Sequence, residues 1–283
     1  MRWTGKLRVA LLAMTGLAVS VGADAQPAQR APAVPPSPAQ DGNPAPQIEP
    51  KATELLKAMS SRLASAKTMS FTAVNTYESP ARSGQPLYYT TISEVTLQRP
   101  DKLRVITPGD GPPTEFYYDG KHMVAYDPAV NLVAVADAPP TIDAMAKAVY
   151  DQAAIYFPFI DFIVSDPYKD MSDGLKSAFF VGQSGVVGGT LTDMVAVASD
   201  IVQAEIWIGA SDHLPRMIRA VFPQEAGKNR YETQFSDWHL NTAVKPDSFA
   251  SQRAEKAPHM PFRRPDAEAA QQQEGHAQPK GGQ

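Results

Sequence analysis

YYDGKHMVAYDP, residues 117–128, decides the fold. Two short runs rich in Tyr, Met, Val and Ala flank Asp119-Gly120, a pair that favours the positive φ of a tight hairpin turn. A second turn follows at Asp127-Pro128, where proline has no N–H to give to a strand. The segment therefore predicts antiparallel strands at 114–118 and 123–127, with a third at 132–136.

The same grammar extends in both directions. RPDKLRV at 99–105, EIWIGASDHLPRMIRA at 205–220 and FSDWHLNTAVKPDSF at 235–249 each read as a strand with a turn at one end. Upstream, strand patterns cover 70–77, 87–98 and 103–107. Downstream they cover 177–182, 186–191, 193–198, 202–208, 215–222 and 231–240. About eleven short, turn-linked strands imply an antiparallel, meandering sheet.

Two stretches keep helical rather than strand period. After Pro50, suited to a first helical turn, Ala52, Leu55, Leu56, Met59 and Leu63 form one apolar stripe that ends near Ala66-Lys67. Between Pro139-Pro140 and Pro158, Ile142, Met145, Ala146, Val149, Ala153 and Tyr156 repeat at helical spacing, predicting a helix over 141–157. The fold class is mainly β with α (α+β): a curled antiparallel sheet, with two or three helices covering one face. A packed core and an incomplete barrel with a cavity share this periodicity.

The ends of the chain read differently. Arg2, Lys6 and Arg8 precede the apolar stretch Val9–Val21, and Ala23-Asp24-Ala25 matches an A-x-A cleavage site. Residues 1–25 read as an export signal cleaved after Ala25, since the apolar stretch is shorter than the ~20 residues of a membrane span. Residues 26–50 are a Pro/Ala-rich spacer and 257–283 a Gln/Pro/Gly-rich tail, both too poor in apolar surface to offset their ordering entropy. One domain remains, 51–256. The chain has no cysteine, which excludes disulfides, thiolate metal sites and a cysteine nucleophile. Its net charge of −4 comes from interspersed acids and bases, so there is no nucleic-acid footprint.

Taken in order after an amphipathic helix, the four stretches resemble the outer-membrane lipoprotein carriers of the bacterial periplasm, the LolA/LolB-like superfamily. More closely, they resemble a related family of predicted periplasmic proteins with no assigned function. The likeness runs from Ala52 to Phe249. It rests on the helix–strand junction Leu63–Phe71, on Asp119-Gly120-Lys121 with Tyr126-Asp127-Pro128, and on Lys245-Pro246-Asp247-Ser248-Phe249. It implies an unclosed half-barrel under helices, shielding acyl chains. It also implies that Arg99, the arginine before a proline, holds a helical lid by bonding to its backbone carbonyls. The chain departs from the carriers at Ala254-Glu255-Lys256-Ala257-Pro258 and in longer insertions around 166–200.

Few residues stand out as chemistry. His122, His213, His239, His259 and His276 lack zinc spacing. Gly182-Gln183-Ser184-Gly185 fails G-x-S-x-G because residue 186 is Val, and Asp166, Asp170 and Asp173 lack calcium-loop spacing. Neither metal, cofactor nor enzyme activity is expected. Tyr156, Phe157, Phe159 and Phe162 are the stronger candidates, as a lid over an apolar cavity or as ordinary core closure. Trp207 and Trp238 lie on late strands, and Trp207 is taken as a further ligand contact. The function expected is a periplasmic carrier or sensor of a lipid or lipoprotein acyl chain. The alternative is an interaction module of the cell envelope with a packed half-barrel and a protein partner.

Overall fold

The structure is a computed structural model that describes residues 47–109, 112–225 and 227–264. Residues 1–25, read above as an export signal, most of the expected spacer and residues 265–283 of the expected tail lie outside the described residues. Helix α1 (Pro50–Ala64) starts on its proline and buries Ala52, Leu56, Met59 and Leu63, the stripe read from the sequence. Strands β1 (Thr68–Pro80), β2 (Pro86–Gln98), β3 (Lys102–Thr107), β4 (Thr114–Tyr118), β5 (His122–Asp127) and β6 (Leu132–Asp137) follow as one meander. Helices α2 (Ile142–Ala153), α3 (Ile160–Ile163) and α4 (Pro167–Ser172) interrupt it. A second meander runs through β7 (Ser177–Ser184), β8 (Thr192–Ala198), β9 (Gln203–Gly209), β10 (Pro215–Val221) and β11 (Arg230–Leu240). Helix α5 (Gln252–Lys256) and the two-residue β12 (His259–Met260) close the described chain.

The two meanders join where β1 pairs with β11, giving one sheet in the order β12-β6-β5-β4-β3-β2-β1-β11-β10-β9-β8-β7. Neighbours are antiparallel except β12, which is parallel to β6. The end strands β12 and β7 do not meet, so the sheet is an open half-barrel. At the hairpin that opened the sequence reading, the Asp119 carboxylate accepts from the N–H groups of Lys121 and His122, both at 2.8 Å. Gly120 sits at φ 93°, and a Cβ there would lie 2.7 Å from the Asp101 carboxylate. The turn therefore needs glycine for both space and backbone conformation.

In an antiparallel ladder, directly opposed residues share a face. Phe71 of β1 opposes Val95 of β2, which opposes Val105 of β3, which opposes Phe116 of β4. This row faces the helices: Phe71 meets Phe159 edge-on at 5.5 Å, and Phe116 meets Phe157 at 5.1 Å. With Met145 and Val149 of α2 and Leu56 and Met59 of α1 it forms the main core. The outer face carries a smaller cluster of Tyr126 and Val133 under Ala254 and Ala257.

Four sequence expectations meet a different structure. The helix read over 141–157 stops at Ala153, because Ala154 turns left-handed at φ 56°. The strand expected at 186–191 is a 3-10 turn, Val187–Gly189, with Gly188 at φ 69° and Gly189 at φ 63°, which no strand accommodates. The segment after Phe157 contains two further short helices, α3 and α4, beyond the two or three helices expected. Finally, the chain stays on the sheet beyond Lys256. Ala257 is buried, Val133 donates its N–H to the Pro258 carbonyl at 3.0 Å, and Phe262 packs on the main core. These residues are too few and too mixed to show a period, and a two-residue strand has none to show.

Candidate functional site: the inner face and its aromatic cover

The inner face changes character along the strands. Near α1 and α2 it is apolar, with Met69, Leu97, Leu103 and Met123 fully buried. Two residues further along β1, past Phe71 and Ala73, stands Asn75, only 4 % exposed. It opposes Thr91 of β2 on one side and Thr233 of β11 on the other. The Thr233 hydroxyl donates to Asn75 Oδ1 at 2.9 Å. Ser93 and Thr107, one row nearer the core, share a hydroxyl contact of 3.2 Å. The next row is aromatic: Tyr77 opposes Tyr89 and Tyr231. Tyr77 and Tyr89 stack at 5.5 Å, and Tyr89 is 44 % exposed. The Tyr231 hydroxyl donates to Glu225 at 3.0 Å. Burial, and then the Glu225 charge, push its pKa well above the phenol range.

A cover of residues 156–175 lies over this face. Phe157, Phe159 and Phe162 are brought together within it: Phe157 stacks on Phe159 at 5.8 Å, and Phe162 meets Phe235 of β11 at 5.0 Å. Phe159 is fully buried, so these rings are core as well as cover. Tyr156 differs from them. It is 40 % exposed at the rim, within electrostatic reach of Asp161, Tyr231 and Tyr150. Asp161 of α3 is half-buried, and burial together with the charge of Asp170 pushes its carboxyl up to about 7. Under α4 the cover encloses a pocket of about 30 Å³, lined by Met171, Leu175, Val197, Ala204, Ile206 and Ile218, room for about one water.

Trp207 is not part of this arrangement. Its neighbour Ile206 belongs to the inner core, so Trp207 projects outward, where it is opposed by Met194 and Met217. Trp238 does lie inside, stacked on Phe71 at 4.4 Å with its indole N–H donated to the Pro215 carbonyl at 3.0 Å.

Arg99 lies at the end of β2, below the core, with its N–H donated to the Lys67 carbonyl. Its side-chain Nε and Nη2 are buried without a hydrogen-bond partner. Desolvation lowers its pKa, while the charge of Asp143 on α2 opposes the shift. Asp143 in turn holds Ser165, the second residue after α3. Arg99 thus stands behind the group that ties down the cover, without a bond of its own to it.

The sequence reading missed Asn75, Thr91, Thr233 and the tyrosine rim. One signal was available: in Phe71-Thr72-Ala73-Val74-Asn75 a polar residue occupies the apolar period of the strand. Its partners are 16 and 158 residues away in the chain, at positions that only the register defines. Among the described residues, no cluster of three metal-binding side chains occurs and no helix is long and apolar enough to cross a membrane.

Comparison with solved structures finds remote likenesses. An uncharacterized conserved protein from Thermus thermophilus is similar at 13 % identity with a TM-score of 0.43, over 75 % of this chain and 99 % of that one. LprF from Mycobacterium bovis is similar at 16 % identity and 0.43, over 74 % and 99 %. A LolA superfamily protein from Nitrosomonas europaea is similar at 7 % identity and 0.35, over 71 % and 97 %. No curated protein sequence matches the chain. A family model, by contrast, matches residues 52–263, from the first apolar residue of α1 to the segment that closes over β6. The chain belongs to the family described as "Predicted periplasmic protein (DUF2092)".

Proposed function

We propose that the protein is a periplasmic binding protein for an apolar ligand, a lipid or a lipoprotein acyl chain, held between the inner face of the half-barrel and the 156–175 cover. One observation carries this reading. Among the described residues, the cover's hydrogen bonds to the body are Ser165 to Asp143 and the Tyr168 N–H to the Ser60 hydroxyl at 2.9 Å. Lys57 of α1 also lies over the Tyr168 ring at 5.2 Å, and the main attachment is apolar contact, through Phe157, Phe159, Phe162 and Ile163. Apolar contact is non-directional, so an acyl chain can replace the cover's side chains against the same face. The short helices α3 and α4 hinge on Ala154 and on the turn after α4. In this reading residues 1–25 direct export, cleavage follows Ala25, and binding needs no covalent chemistry.

The enclosed volume of about 30 Å³ supports a second reading, in which the half-barrel stays packed and its surface binds an envelope protein. Native mass spectrometry of the protein purified from the periplasm separates the two. Co-purified lipid, or one saturable site for an apolar dye on the delipidated protein, supports the carrier. A bound polypeptide with no dye uptake overturns it in favour of the interaction module.

A further inference from the structure

The rows of the inner face that lie nearest the rim set a rule for the polar end of a ligand. On β1, β2 and β11 they carry Asn75, Thr91, Thr233 and then Tyr77, Tyr89, Tyr231. On β10, β9 and β8 the same rows continue as Ile218 and Ala220, Ile206 and Ala204, and Val195 and Val197. Neither lysine nor arginine occupies any of these positions. The cations nearby point elsewhere: Arg230 pairs with Glu78 on the outer face, and Arg264 lies over the Tyr150 ring of α2 at 5.9 Å. Among the described residues, two carboxylates of the cover lie toward the rim. Asp170 on α4 is close enough to Asp161 on α3 to disfavour the charged form of Asp161, and Asp161 is within reach of Tyr156 beside Tyr231.

Asn75 supplies a second, independent observation. Its side chain is almost fully buried, and its Oδ1 is already used by Thr233. Its amide nitrogen makes no hydrogen bond among the described residues. That nitrogen is not sealed off from solvent, so it is a donor that an arriving acceptor can satisfy. An acceptor arriving from the rim reaches it between the apolar floor and the tyrosines.

We propose, resting on the lipid-binding reading above, that the ligand carries an uncharged, hydrogen-bond-accepting polar end such as an acyl ester, received by Asn75 below the tyrosine rim, and that carboxylate-ended amphiphiles are rejected. An ester carbonyl accepts from the Asn75 amide and its alcohol portion meets the phenol groups. A carboxylate placed there finds no lysine or arginine on these rows among the described residues and meets the charge of Asp161 beside the rim.

The test uses three probes of one chain length, each below its micelle concentration, titrated into delipidated protein: a monoacylglycerol, the corresponding fatty-acid anion and a hydrocarbon dye. At about pH 8, where the fatty acid is ionised and Asp161 lies above its value of about 7, the ester binds saturably. The anion binds at least about tenfold more weakly. Asp161→Asn narrows that gap. Asn75→Leu weakens the ester about five- to tenfold while leaving the hydrocarbon dye unchanged. Asn75→Asp, nearly isosteric but without the amide donor, serves if Asn75→Leu does not fold, and weakens the ester in the same direction. Equal affinity for ester and anion overturns this inference alone, with lipid binding intact. Failure of all three probes to bind removes the lipid-binding reading and this inference with it.

Discussion

The carboxylate of Asp143, on the first turn of α2, accepts from both the backbone N–H and the hydroxyl of Ser165, at 2.9 and 3.2 Å. One side chain therefore fastens the middle of the cover, just past its aromatic part, to the helix that precedes it. Asp143→Ala removes two hydrogen bonds to a charged acceptor and should cost about 1–3 kcal/mol. Amide exchange should accelerate in 156–165 before it does in the β1–β2 ladder. Unchanged exchange in that segment would show that apolar packing alone holds the cover.

Arg99 presents the contrasting case. Its Nε and Nη2 are buried and unpaired, so the folded protein bears the desolvation of a cation with little return. Arg99→Met should leave the melting temperature unchanged or raise it. A fall of more than about 4 °C, roughly 1–2 kcal/mol in a domain of this size, would mean that Arg99 bonds the cover, as the carrier resemblance implies.

Core and rim should separate under substitution. Phe162 is buried against Phe235, and Phe162→Ala should cost about 3–5 kcal/mol. Tyr89→Ala at the exposed rim should change stability by less than about 1 kcal/mol while reducing ligand uptake. Equal thermal effects would place Tyr89 in the core network. Ligand tests therefore belong at Tyr89 and Tyr156 rather than at Phe159 or Phe162, whose loss reports mainly on folding.

Acid should loosen the strand end that Glu78 clasps. The Tyr88 hydroxyl at 2.7 Å, then the Arg230 N–H at 2.9 Å and the Arg230 charge, hold its carboxyl below the usual value against the cost of burial. A carboxylate with a depressed folded pKa contributes stability above its unfolded value, about 4.5, and loses it as pH falls through the lower folded value. Thermal melts of Glu78→Gln should decline less steeply than wild type between about pH 5 and 3. Parallel curves would mean that the ionised form gains nothing from these partners.

Truncation should distinguish the two parts of the tail. Ending the chain after Arg264 should leave the melting temperature within about 2 °C, an effect below 1 kcal/mol. Ending it after Lys256 removes the Pro258 and Phe262 contacts and should cost about 1–3 kcal/mol. Similar melts for both would mean that 257–264 contribute no stability.

The sequence by itself determined most of the long elements and their order. Asp119-Gly120 specifies its hairpin because the dipeptide tolerates the positive φ that the turn demands, and α1 follows from a stripe repeated every three to four residues. Short turns between strands leave antiparallel neighbours as the direct outcome, and the open meander follows. What only the tertiary structure decided is which face each strand turns inward, and which strangers meet there. Period two tells that Ile206 and Trp207 point to opposite sides, but not that Ile206 points in. Asn75 and Thr233 become partners because β11 returns to pair with β1 across 158 residues, and register between distant strands is set by the packing of the whole face. The same holds for the cover. Tyr156, Phe157, Phe159 and Phe162 are legible as an aromatic group, yet their division into buried rings and an exposed rim depends on where Ala154 breaks α2 and turns the chain across the inner face.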